Sequence, residues 1–157
     1  MLRQRSTKAP LTFEILVSTR DQERIALAYQ RDLKRAGIEV TVRSVDAVQF
    51  DQRRLGFDFD MIQNRWDQSL SPGNEQWLYW SSRAADSQGS RNYMGARDPA
   101  IDGMIEALLA ARQRPGFVSA VRALDRALIS GFYVIPVFNV REQWIARWNR
   151  IERPAAT

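Results

Sequence analysis

The 157-residue sequence contains no cysteine and no histidine. Without cysteine there can be no disulfide, thiolate nucleophile or thiolate metal ligand. Without histidine, the commonest general base and the commonest metal ligand are both missing. Catalysis would have to rest on carboxylates, tyrosine, serine or lysine, and Lys8 and Lys34 are the only lysines. No stretch approaches the roughly 18 to 20 uncharged apolar residues of a membrane helix. The N-terminal MLRQRSTKAP is basic but has no apolar run behind it, so it does not read as a signal peptide.

What is present is ordinary for a folded domain: 45% hydrophobic and 26% charged residues, with a net charge of +5. The length favours one domain with a real core. The arginines are scattered. Those near the first helix (Arg20, Arg24, Arg31, Arg35) alternate with Asp21, Glu23 and Asp32, as on a solvated mixed-charge face, which argues against a nucleic-acid groove.

Along the chain, 11–17 (LTFEILV) reads as a buried strand and 38–45 (IEVTVRSV) as an alternating one. Between them runs a helix with Asp21 as N-cap and Gly37 at its C-terminal stop. Asp46 and Gln49 have capping-box spacing, with Val45 and Phe50 placed as a hydrophobic staple for a second helix. Residues 57–63 (FDFDMIQ) read as a third strand, Phe57, Phe59 and Met61 on one face and Asp58, Asp60 and Ile62 on the other. This β-α-β-α-β order implies an α/β domain: a mixed or mostly parallel sheet, covered by helices, with right-handed crossovers. Ligands of such sheets sit beyond the carboxyl ends of the strands, which here is where Trp66 begins a polar loop.

The second half changes character. A short helix is expected over 74–81, loop over 82–96, a helix opened by Asp98-Pro99, and another over 117–130 stopped by Gly131. Residues 133–140 (YVIPVFNV) read as a strand that Pro136 makes an edge or bulged one, and 143–148 as a further short strand.

Asp58 and Asp60 are the obvious pair for carboxylate chemistry, and a hydrolase using them is the first rival function. Adjacent in-strand acids point the same way, however, which suits a two-carboxylate mechanism poorly. The plainer reading is that one caps the sheet edge or pairs with an arginine. Ser69 and Ser71 lack a nucleophile-elbow setting, and no phosphate-binding glycine loop or calcium loop is present. The second rival, a basic nucleic-acid-binding module, rests only on the arginine excess and the aromatics. Those aromatics crowd the second half: Trp66, Trp77, Tyr79, Trp80, Tyr93, Trp144 and Trp148. Packing accounts for most. Trp66 is the exception, because a rigid ring at a strand's carboxyl end suits stacking on a ligand.

The segments FDFDMIQNRW, SLSPGNEQWLYW, SRNYMGARDPAIDGMIEALL and ALDRALISGFYVIPVFN resemble the C-terminal lobe of family 5 extracellular solute-binding proteins. These are the peptide, dipeptide and nickel receptors of ABC importers, and the SLSPGNEQ stretch is most similar to the YejA-like oligopeptide and microcin C branch. The resemblance spans about residues 11–153, leaving 1–10 as a flexible N-terminal segment and 154–157 as a tail. It implies a periplasmic-binding-protein-like lobe and a non-enzymatic role with no cofactor or bound metal. It also implies a periplasmic parent that carries its signal peptide outside this sequence and hands an oligopeptide or peptide-like solute to ABC permease subunits. The partners would then be the solute, the N-terminal lobe and the permease, not nucleic acid. One lobe offers half a site and exposes apolar surface that the other parts cover.

Carried over to this sequence, Trp66 would stack on the ligand, Asp67, Gln68 and Ser69 would offer polar contacts, and Asn92 would brace the loop or touch the solute. Two departures stand out: Arg65 replaces a common glycine, and Ser69 stands where many peptide binders have an acid for the α-amino group. Asp67 is the only nearby acid, so an anchor for the amine comes from Asp67, from the other lobe, or from neither.

Overall fold

The computed structural model describes residues 3, 8–66, 71–139, 146, 148 and 150. Three strands, β1 (Thr12–Val17), β2 (Glu39–Ser44) and β3 (Met61–Ile62), form a sheet in the order β2-β1-β3. Both pairings are parallel, with Ile15 opposite Val42 and Met61.

Helix α1 (Arg20–Arg35) connects β1 to β2. Its N-cap is Thr19, not Asp21: the Thr19 hydroxyl accepts from the Gln22 amide while Gln22 Oε1 accepts from the Thr19 N–H, a reciprocal box that Asp21 cannot build. At its end Gly37 takes φ +79°, and the Gly37 and Ile38 amides bond to Lys34 and Leu33 carbonyls, a Schellman closure. Ile15 and Val17 pack with Ala26 on this face of the sheet, joined by Tyr29, Val40, Val42 and Met61.

Helix α2 (Ala47–Leu55) opens on Asp46, whose carboxylate accepts from the Gln49 amide at 2.9 Å, as the sequence implies. It covers the other face, since Arg53 reaches Glu14 on β1, and Leu16, pointing the same way as Glu14, is wholly buried. Successive connections on opposite faces follow from right-handed crossovers when the third strand returns past the first.

The third strand is much shorter than 57–63. Helix α2 closes in another Schellman arrangement, with Phe57 rather than a glycine in the left-handed region (φ +56°) and the Asp58 amide bonded to the Arg53 carbonyl. Residues 57 and 58 therefore belong to the helix stop. Asp60 then uses its carboxylate to accept the Glu14 N–H at 2.9 Å, so backbone pairing begins only at Met61.

The rest is helical: α3 (Glu75–Trp80), α4 (Ser82–Ala85), α5 (Pro99–Ala110) and α6 (Arg114–Ser130). Helix α4 lies where loop was expected, started by Ser81, whose hydroxyl accepts from the Ala84 amide. Asp98 caps α5, with Pro99 in its first turn. Helix α6 starts three residues earlier than expected, with Pro115 in its first turn. Their core comprises Tyr79, Trp80, Ala96, Ile101, Ile105, Leu108 and Leu124. Beyond α6, residues 133–139 form no strand, contrary to the sequence pattern. The strand expected over 143–148 falls largely outside the described residues.

A charge cluster ties α2 to the sheet. Arg43 Nε and Arg53 Nη1 donate to the two oxygens of Glu14 at 2.6 and 3.1 Å, and Arg53 Nε donates to Asp58 at 2.9 Å. Partial burial alone would raise the Glu14 pKa, but the hydrogen bonds and charges of the two arginines outweigh it and hold the carboxyl below its usual value. A lowered folded-state pKa stabilises the fold above the unfolded-state value, and the gain is lost as pH falls through the folded value. Glu14→Gln should therefore flatten the acid limb of a melting-temperature profile measured from neutral pH to below about 4.3, the ordinary glutamate value. Superimposable wild-type and variant profiles would show that the cluster adds no pH-dependent stability.

Candidate functional site

In an open parallel sheet the natural crevice lies where the chain reverses its direction of winding. Here the chain winds from β1 to β2 on one side and then returns past β1 to β3 on the other, so the reversal lies at the carboxyl ends of β1 and β3. Ser18 and Thr19 leave β1 there, and Gln63, Asn64, Arg65 and Trp66 leave β3.

The β1 side is occupied from within. Gln22 Oε1 accepts the Ser18 and Thr19 amides at 2.8 and 3.3 Å. The β3 side is different. Among the described residues, Gln63 Oε1 and Trp66 Nε1 are buried with no hydrogen-bond partner. One is an acceptor and the other a donor, and an unpaired buried group of either kind is costly. Sequence reasoning passed over Gln63 as the polar end of a strand. The available signal was its place, since a polar residue ending an apolar strand at a carboxyl edge has no core role.

Trp66 is half-buried and stacks on Trp80, ring centroids 6.1 Å apart and planes 22° from parallel. Trp80 in turn meets Tyr133 at 6.4 Å in a tilted arrangement. Trp77 and Trp80 are packing residues, as the sequence suggests. Asp67, Gln68 and Ser69 lie outside the described residues.

Asn92 is 1% exposed and serves as a brace. Its amide nitrogen donates to the Ser81 and Ala96 carbonyls at 3.0 and 2.9 Å, and its oxygen accepts the Ala96 amide at 2.9 Å. Both amide hydrogens are thus engaged inside the loop. Tyr93 joins the halves of the molecule: Arg54 donates to its hydroxyl at 2.9 Å and lies over its ring, and Phe57 packs against it. Asp58 and Asp60 face Arg53 and the Glu14 amide, respectively, in structural roles rather than across a shared cleft.

Glu75 orders the chain just before α3. Its carboxylate accepts the Gly73 amide at 2.7 Å and the Gln76 side chain at 3.2 Å. The backbone bond from Gly73 is the main reason its pKa lies below the ordinary carboxylate range.

Truncating Asn92 leaves the Ala96 carbonyl and amide unpaired, each worth about 1–3 kcal/mol, whereas the Ser81 carbonyl keeps the Ala84 and Ala85 amides. Asn92→Ala should destabilise the protein by roughly 2–4 kcal/mol in urea unfolding, and a loss below about 0.5 kcal/mol would contradict the bracing role.

The family model for bacterial extracellular solute-binding proteins, family 5 Middle, matches residues 2–88. A binding protein of Brucella melitensis is 58% identical over 151 residues, 96% of this chain and 25% of that protein. The peptidoglycan-binding protein YepA of Agrobacterium fabrum is 51% identical over 147 residues, 94% of this chain and 24% of that protein. Among solved structures, Haemophilus influenzae OppA in complex with the peptide RPPGFSPFR superposes with a TM-score of 0.70 at 20% identity, covering 83% of this chain and 25% of that one. The chain thus spans about a quarter of the length of these relatives. The family is one of solute-binding receptors, not enzymes, which removes the hydrolase reading of Asp58 and Asp60. The chain belongs to the family 5 bacterial extracellular solute-binding proteins.

Proposed function

We propose that this chain is one lobe of the substrate-binding component of an ABC importer. The parent protein captures an oligopeptide or peptide-like solute in the periplasm and delivers it to a membrane permease. The observation that carries this reading is the pairing of a stacked, half-buried indole with an unpartnered acceptor and donor, Gln63 Oε1 and Trp66 Nε1, at the reversal point of the sheet. A peptide unit supplies one N–H and one C=O, the complement of that pair. The relatives' names point the same way, toward peptides and peptidoglycan.

In this reading Trp66 offers its ring to the ligand while leaning on Trp80, and Asp67, Gln68 and Ser69 add polar contacts. Asn92 acts indirectly, by holding the loop that follows α4 and, through Ser81, the end of α3. Asp67 takes the α-amino group that Ser69, being neutral, holds less firmly. The N-terminal lobe completes the site.

Two measurements on the full-length parent test this. Trp66→Ala should weaken binding of a peptide found by calorimetric screening by about tenfold or more, the scale of a buried aromatic anchor. Loss of the Trp80 contact adds a stability cost of about 1 kcal/mol. Unchanged affinity alongside a large drop in stability would reduce Trp66 to a packing residue. Asp67→Asn should cost about tenfold or more in affinity for a peptide with a free α-amino group and nothing for its N-acetylated form. Equal losses on both forms would assign Asp67 some other role.

A further inference from the structure

Helix α6 has two unlike faces. Phe117, Val121, Leu124 and Leu128 pack into the helical core. The opposite face carries Arg114, Val118, Arg122 and Arg126 at four-residue intervals, and Ile129 falls between Val118 and Arg122 around the helix axis. The three arginines are exposed, and Ile129 is 65% exposed. Among the described residues no salt bridge reaches Arg114, Arg122 or Arg126, and Arg126 Nε donates to the Arg122 carbonyl at 3.2 Å. Asp125, the one acid of α6, shares this face without pairing with them. Arginines elsewhere are answered: Arg53 by Glu14, Arg54 by Asp51 and Arg97 by Asp86. A row of unanswered cations with aliphatic side chains among them is unusual for a helix face meant only for water.

We infer that this face of α6 docks the protein on an anionic phospholipid surface. Twelve residues separate Arg114 from Arg126, so the row extends about 18 Å along the helix, a reach that suits a field of headgroups better than one small anion. Guanidinium groups match phosphate oxygens with paired hydrogen bonds, and their weak hydration lowers the cost of entering the headgroup layer. Val118 and Ile129 decide between a membrane and an acidic protein segment. Aliphatic side chains set among cations suit the boundary between headgroups and acyl chains, where both are satisfied at once. An acidic segment would answer the arginines and give those two side chains nothing apolar to meet.

The docking face is independent of the solute site, so the measurement is made on the full-length parent without peptide. The protein should sediment with vesicles of mixed phosphatidylglycerol and phosphatidylcholine, and stay in solution with phosphatidylcholine alone. Each arginine at an anionic surface raises partitioning about fivefold, so the double substitution Arg122→Gln/Arg126→Gln should lower it about 25-fold at low salt. The difference should shrink as added salt shortens the screening length. The melting temperature should stay as it was, since neither side chain is buried. The matching pair Arg31→Gln/Arg35→Gln on the mixed-charge face of α1 should cost less than about twofold. Ile129→Ser should lower partitioning several-fold through lost apolar contact. No sedimentation with the anionic vesicles, or equal losses from the α1 and α6 pairs, would overturn the docking face. Binding of soluble oligoglutamate as tight as that of the vesicles, with Ile129→Ser without effect on either, would assign the face to an acidic protein segment and overturn the lipid.

Discussion

The stack of Trp66 on Trp80 is the contact on which the arrangement of the two halves turns. The sheet has its own small core under α1, and the helices have theirs around Ile101, Ile105 and Leu108. Strand β3 is only two residues long and is held by two paired positions, too little to fix the chain that leaves it. Trp66 supplies the missing restraint by inserting next to the helical core. Aromatic contacts of this type add about 0.5–1.5 kcal/mol beyond the area they bury. Tyr93 adds a second tie through Arg54 and Phe57, at the sheet's amino edge where α2 ends and β3 is about to begin, so the sheet is held to the helices at both edges.

Much of this was legible in the sequence where local chemistry and periodicity agree. The first two strands, the Asp46 cap, the Gly37 stop and the Asp98-Pro99 start are each set by residues within one turn of the feature they specify. The misreadings share one cause, competition between neighbouring signals. FDFDMIQ has strand alternation, but its first two residues complete a Schellman closure and its fourth lends a carboxylate to β1. Asp21 is a good cap by type, yet Thr19 wins because Gln22 can answer it. The strand pattern in YVIPVFN is genuine propensity, but among the described residues it finds no ladder, and propensity alone does not make a strand.

The candidate site was legible in part. Position along the chain and ring chemistry mark Trp66 as a candidate, while its stack on Trp80 is visible only in three dimensions. Asn92 shows the limit of that approach: a polar residue in a loop of this type can face a ligand or hold the loop, and only three-dimensional placement distinguishes the two. Gln63 shows the converse. Its significance lies in an unmet hydrogen bond, which no sequence pattern displays.

The capping box at the start of α1 bears on selectivity. Helix starts commonly act as seats for phosphate or carboxylate. Here Gln22 takes the Ser18 and Thr19 amides, and Asp21 and Glu23 place two negative charges in the first turn. Arg20 and Arg24 stand among these acids, so what the box removes from this corner is the amide seat itself: an anion reaching the start of α1 finds the Ser18 and Thr19 N–H groups already taken.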